Sequence, residues 1–237
     1  MSSQGRSKQN ARAAKALRGT KGKGARRTPV RSSTDVPILA VVVGAILLVV
    51  FAGLLIYGAI NSRPNPIPTV NGSSGTIPCD QLEHTQVHYH ASIQIVDQGA
   101  VHPIPGGIGI QGGETAPSCF YWLHVHSANQ NVIHIESPAD RVFTLGDFFK
   151  VWDAWSVHNG GPHEVLDSNH VSTLKLSNGQ SIEVFVDLND GKGAQLYDGD
   201  PNTIALKSHE IVTIEITPPA VNPPPAFDWK SAAYNGL

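Results

Sequence analysis

Three histidines and a glutamate occupy alternate positions in Phe120-Tyr-Trp-Leu-His-Val-His-Ser-Ala-Asn-Gln-Asn-Val-Ile-His-Ile-Glu136. His124 and His126 form a His-x-His pair; His134 and Glu136 follow after a polar break. Imidazole is the commonest protein ligand for zinc and copper. A second His-x-His pair, His88 and His90, lies in Val87-His-Tyr-His-Ala-Ser-Ile-Gln-Ile-Val96. The smallest ligand set is His124, His126 and His134. Glu136 is then a fourth ligand, a partner behind the ligands or a general base. His88 and His90 enlarge the set if their strand lies alongside. Three histidines with an open position suit catalytic zinc, whereas a fuller imidazole set suits copper capture.

Such spacings need strands to position them. Apolar and polar residues alternate on both sides of the break, the period-2 pattern of two half-buried strands. Leu123, Val125, Ile133 and Ile135 share one face, and His124, His126, His134 and Glu136 the other. With Ser127 to Asn131 as the turn, His126 pairs with Val132 and His124 falls opposite His134. Opposed side chains of an antiparallel pair sit roughly 5 Å apart at Cβ, close enough for the imidazoles to converge. The same alternation also fits a strand with one wet face, where His, Tyr and Trp serve packing alone. His102, His158, His163, His170 and His209 stand singly in loops or at strand ends, where surface or hydrogen-bonded roles are expected. A lid site of His158, His163 and Glu164 has weak support.

Further along, Asp97-Gln98-Gly99 predicts a turn, and Thr144 caps a helix through Trp152 with Asp147 at the capping-box position. Asn178-Gly179 predicts a hairpin between 171–176 and 182–186. Two more strands are expected near 204–206 and 211–216. About eight strands and one short helix give a mainly β, antiparallel sandwich or barrel-like domain over residues 77–217. The only two cysteines, Cys79 and Cys119, are expected to form a disulfide. Closing a loop of that length is worth about 3–4 kcal/mol in the chain-entropy model.

The formal net charge of −2 conceals an asymmetry. Residues 1–35 carry ten Lys/Arg against Asp35 alone, while the remainder has seven basic and eighteen acidic residues and all eleven histidines. Between them, residues 36–60 carry no charge, long enough to cross a hydrocarbon core of about 30 Å. With basic residues on its N-terminal side, the positive-inside rule predicts a single-pass signal anchor, its N-terminus cytoplasmic and its C-terminal domain outside the cell membrane. The basic stretch is expected to be a disordered tail that meets membrane lipid rather than nucleic acid. Residues 61–76 read as a linker, and the Pro-rich residues 218–237 as a loosely ordered tail. Nothing in the chain names a protein partner.

Several motifs, namely His88-x-His90, Ile104-Pro105 with Ile108-Gly-Ile110, Cys119, Leu123-His-x-His126, Ile133-His-Ile-Glu136-Ser-Pro138 and Phe143-Thr-Leu-Gly-Asp-Phe-Phe149, carry a resemblance that covers roughly residues 86–216. In these the chain resembles an uncharacterised family of prokaryotic ectodomains anchored by one N-terminal helix. That family has no assigned activity, so the resemblance implies a coherent domain and little more. No G-x-S-x-G, Walker A or H-E-x-x-H motif is present. Three functions fit: a membrane-anchored extracytoplasmic domain binding copper or zinc, a zinc-dependent hydrolase or lyase with Glu136 as base, and a metal-free structural or interaction module.

Overall fold

The computed structural model describes residues 37–61 and 66–237, so the basic stretch 1–35 lies outside the described residues. The chain divides into two compact units, one ending at Arg63 and the other starting at Pro64. The first contains helix α1 (Ile38–Asn61), 24 residues with no acidic or basic group and no buried side chain. At 1.5 Å per residue it is about 36 Å long. It is long and apolar enough to cross a membrane.

The second unit is mainly β. Its central sheet has seven strands: β1 (Val87–Asp97), β2 (Ala100–His102), β3 (Leu123–His124), β4 (Val132–Ser137), β5 (Ser181–Asp187), β6 (Gln195–Tyr197) and β7 (Ile211–Thr217). The order is β6-β5-β7-β1-β4-β3, with β2 also on β1. Neighbours are antiparallel except β7 and β1, which run parallel. The β1–β2 turn falls at Gln98-Gly99 as expected, both residues at positive φ.

One sheet face builds the core. Ile93 and Ile95 of β1, Ile133 and Ile135 of β4, and Val212 and Ile214 of β7 are buried with Phe148, Val151 and Trp152. Those three come from helix α2 (Leu145–His158), six residues longer than the sequence pattern implied. Its N-terminus carries the expected capping box: Thr144 Oγ1 accepts from the Asp147 amide at 3.2 Å, and Asp147 Oδ2 accepts from the Thr144 amide at 3.1 Å. Asp147 also accepts the Ser73 amide and hydroxyl, at 2.6 and 2.7 Å. These bonds join the helix to a hairpin of Val70–Gly72 and Gly75–Ile77. Residues 70–76, expected as linker, therefore belong to the folded unit, because Val70 and Ile77 are apolar enough to enter the core.

The opposite face was expected to be wet, and most of it is not. Ser92, Gln94, Thr213 and Glu215 are buried there. The chain after Thr217 folds back over this side, packing Phe227, Trp229, Tyr234 and Leu237 against Val132 and Ile211. The Tyr234 hydroxyl donates to Gln130 O at 3.2 Å, and Asn129 Nδ2 to Ala233 O at 2.8 Å. The tail is thus not loosely ordered: four large apolar side chains within its last eleven residues outweigh its prolines.

Two further expectations fail. Asn178-Gly179 makes a turn, but 171–176 does not pair with 182–186. Ile182–Val186 lies instead within β5, Ser181–Asp187, which forms seven residue pairs with β7, while 170–172 and 174–175 form a small sheet with Val165–Leu166. At 204–206 there is no strand, only an isolated bridge from Ala205 to Thr144. Cys79 and Cys119 are disulfide-bonded, as expected.

Candidate metal centre

Strand register brings the histidines together. On β1 and β4, His88 pairs with Glu136 and His90 with His134; on β3 and β4, His124 pairs with His134. His90, His134 and His124 therefore form one row across three strands, on the face away from α2. His126 does not pair with Val132, since the β3 ladder stops at His124. It remains extended and precedes a 3₁₀ turn, Ser127–Asn129, while Val132 pairs with Ser92. Its ring still reaches the cluster.

The segment from Gly106 to Gly109 fixes the outer edge of β3. The Gly107 amide donates to Val125 O at 2.7 Å, and the Val125 amide to Ile108 O at 2.9 Å. At Gly109, where φ is +76°, a Cβ would lie 2.6 Å from Leu123 O and 3.0 Å from His124 Cβ. Only glycine lets this segment run so close beneath His124.

The ring nitrogens and carboxylates converge closely. His90 Nε2 lies 3.1 Å from both His88 Nε2 and His134 Nδ1. Glu136 Oε1 lies 3.2 Å from His88 Nε2 and 3.6 Å from His134 Nδ1. His124 Nε2 is 3.2 Å from His126 Nε2. The structure adds a residue the sequence did not suggest: Glu83 Oε1 sits 3.1 Å from His126 Nε2 and 3.5 Å from His124 Nε2. Beside it, His84 Nε2 and Trp122 Nε1 lie 2.8 and 2.7 Å from Asp80 Oδ2, holding its loop against the core. Three donor groups have all atoms within 4.8 Å of one another: His88/His90/His134, His124/His126/His134 and Glu83/His124/Glu136.

These donors are in the form a cation needs. His124 Nδ1 lies 2.9 Å from Tyr121 O; a carbonyl can only accept, so Nδ1 carries the proton and Nε2 presents its lone pair. Burial, aided by the neighbouring His134 and His88, pushes His90 down to about 3. Burial also lowers His134, against an opposing bond to Glu136. Both rings are thus neutral at physiological pH. His134 Nε2 is buried without a hydrogen-bond partner among the described residues.

The single histidines stay apart. His163 bonds Asp153 at 2.9 Å, His170 bonds Asp167 at 3.0 Å, and His209 contacts Leu237 O at 2.9 Å. His102 lies 3.7 Å from Asp97. Glu164 is engaged by Ser172 rather than by His163, so the lid constellation does not assemble. Comparison of the chain with family models, curated proteins and solved structures finds no match. The family resemblance therefore rests on the motifs alone.

Proposed function

We propose that this chain is a single-pass membrane protein whose C-terminal domain captures copper or zinc outside the membrane. One observation carries the reading. His88, His90 and His134 place three ring nitrogens in mutual reach, with neighbouring distances of 3.1 Å. Around a tetrahedral ion with bonds of 2.0–2.1 Å, ligand atoms stand about 3.3 Å apart. The donor chemistry supports a divalent ion: both cysteines are bonded to each other and Met1 is the only methionine. Nitrogen and carboxylate donors without soft sulfur suit Zn(II) or Cu(II) better than Cu(I). The charge distribution around α1 supports placing residues 1–35 on the cytoplasmic side.

The metal-free module would leave the imidazoles splayed, and their close approach argues against it. The hydrolase reading needs Glu136 free as a base, whereas its Oε1 faces the nitrogens of His88 and His134. The test is elemental mass spectrometry on the full chain in detergent micelles, without an oligohistidine tag, after incubation with zinc or copper and desalting. Bound metal at one equivalent per chain or more is expected, with almost none in a His90→Asn/His124→Asn/His134→Asn variant. A metal-free wild-type protein would sink the proposal.

A further inference from the structure

The cluster offers more donors than one ion can use, and they separate into two sets. The first is His88 Nε2, His90 Nε2, His134 Nδ1 and Glu136 Oε1, linked by contacts of 3.1, 3.1, 3.6 and 3.2 Å. The second is His124 Nε2, His126 Nε2 and Glu83 Oε1, a closed triangle with sides of 3.2, 3.1 and 3.5 Å. Divided this way no donor atom is shared, although His134 also stands within reach of His124 and His126, and each set has neighbouring distances near the 3.3 Å expected around a tetrahedral ion. Glu136 Oε1 links them, 4.0 Å from His124 Nε2.

We infer that the histidine face is a dinuclear centre for divalent transition metals, one ion in each set, with Glu136 between them. This rests on the metal-capture reading above. Four-coordinate zinc is saturated by four protein ligands, so an ion in the first set is closed. An ion in the second has three protein ligands and keeps one position for water. An ion in either set alone would leave the other donors crowded together and unused. Two cations at the roughly 4 Å separation of known two-metal sites repel strongly. Each set contributes one carboxylate, and Glu136 stands where their mutual repulsion is greatest. The sets also differ in origin: the first lies wholly on β1 and β4, while the second joins His124 of β3 and His126 just beyond it to the loop carrying Glu83. The second should therefore bind more weakly, because its geometry depends on that loop.

The full chain in detergent micelles, without an oligohistidine tag, is saturated with zinc, gel-filtered and assayed for zinc per chain. Two equivalents are expected. Glu83→Gln/His126→Asn should retain one, and His88→Asn/His90→Asn should retain one. A limiting chelator should strip one equivalent from the wild type before the other. Circular dichroism reports whether each variant keeps its fold. Independently of any variant, the wild type saturated with Cu(II) should show dipolar coupling by electron paramagnetic resonance, seen as a half-field signal or lost intensity. One equivalent in the wild type, an uncoupled full-intensity copper signal, or loss of all metal from either folded variant would overturn the dinuclear assignment while leaving capture intact. No metal at all would remove capture as well.

Discussion

Glu210, buried next to the start of β7, is a carboxyl outside the histidine cluster whose ionisation opposes folding. Its Oε1 accepts the Lys207 amide at 2.9 Å. Burial nevertheless outweighs that bond and the Lys207 charge, and pushes the carboxyl up to about 7. Between the unfolded value, roughly 4.3, and about 7, the native state holds a proton that the unfolded chain has released. Stability from this group is thus full at low pH and declines as pH rises through that window, by at most about 1.4 kcal/mol per pH unit. Glu210→Gln keeps the accepting oxygen and removes the ionisation, so it should match the parent near pH 4 and be more stable at pH 8. Urea unfolding followed by tryptophan fluorescence at the two pH values checks this; a parent at least as stable as the variant at pH 8 contradicts it. The donors differed in how far the sequence revealed them. Five lie on strands, where period-2 alternation marks a face, and His126 follows β3 in extended backbone; all six converge. Glu83 was not legible because it comes from an irregular loop with no periodicity, and only tertiary packing places it.

Local chemistry was legible among the elements where it also suited the whole fold. The capping box at Thr144 and Asp147 formed as its spacing implied, because the Asp147 carboxylate can accept the Thr144 amide as well as both Ser73 groups. The Asn178-Gly179 turn formed too, yet its hairpin did not, since Ser181–Asp187 gains a seven-residue ladder with β7. Loss of a long-range partner was invisible in a two-residue signal. The two capping residues should also differ in cost. Thr144→Ala removes one acceptor at a helix start, worth about 1 kcal/mol. Asp147→Ala removes the acceptor for three donors: the Thr144 amide and both Ser73 groups. With the Thr144 amide left buried and unpaired and two bonds to the exposed Ser73 lost, it should cost about 2 kcal/mol and loosen the hairpin at Val70–Ile77. Urea midpoints of both variants, beside unchanged metal content for Thr144→Ala, test the ranking; equal costs would mean that the Ser73 contacts contribute nothing.

For the molecule as a whole, the C-terminal segment completes the domain by covering the sheet face that alternation marked as wet. Sequence could not show this, because polar residues such as Ser92, Gln94 and Thr213 read as solvated until something is known to lie over them. Trp229 anchors the cover between Ile211 and Val132. Its truncation would ordinarily cost about 3–5 kcal/mol. The indole Nε1 is buried without a partner among the described residues, and Trp229→Ala relieves that penalty. A loss of about 2–3 kcal/mol is expected by urea unfolding, and a change below about 0.5 kcal/mol would mean that the segment is not part of the folded unit. Across α1, the charge distribution makes the last prediction. Ten basic residues precede the helix and one, Arg63, follows within a few residues, so the N-terminus should stay in the cytoplasm. Intact cells expressing the chain, treated with a membrane-impermeant amine reagent, should become labelled on exposed domain lysines such as Lys192. Lys8, Lys15, Lys21 and Lys23 should react only after permeabilisation. Labelling of those four in intact cells would reverse the orientation, moving the histidine face into the reducing cytoplasm, where the Cys79–Cys119 bond would not persist.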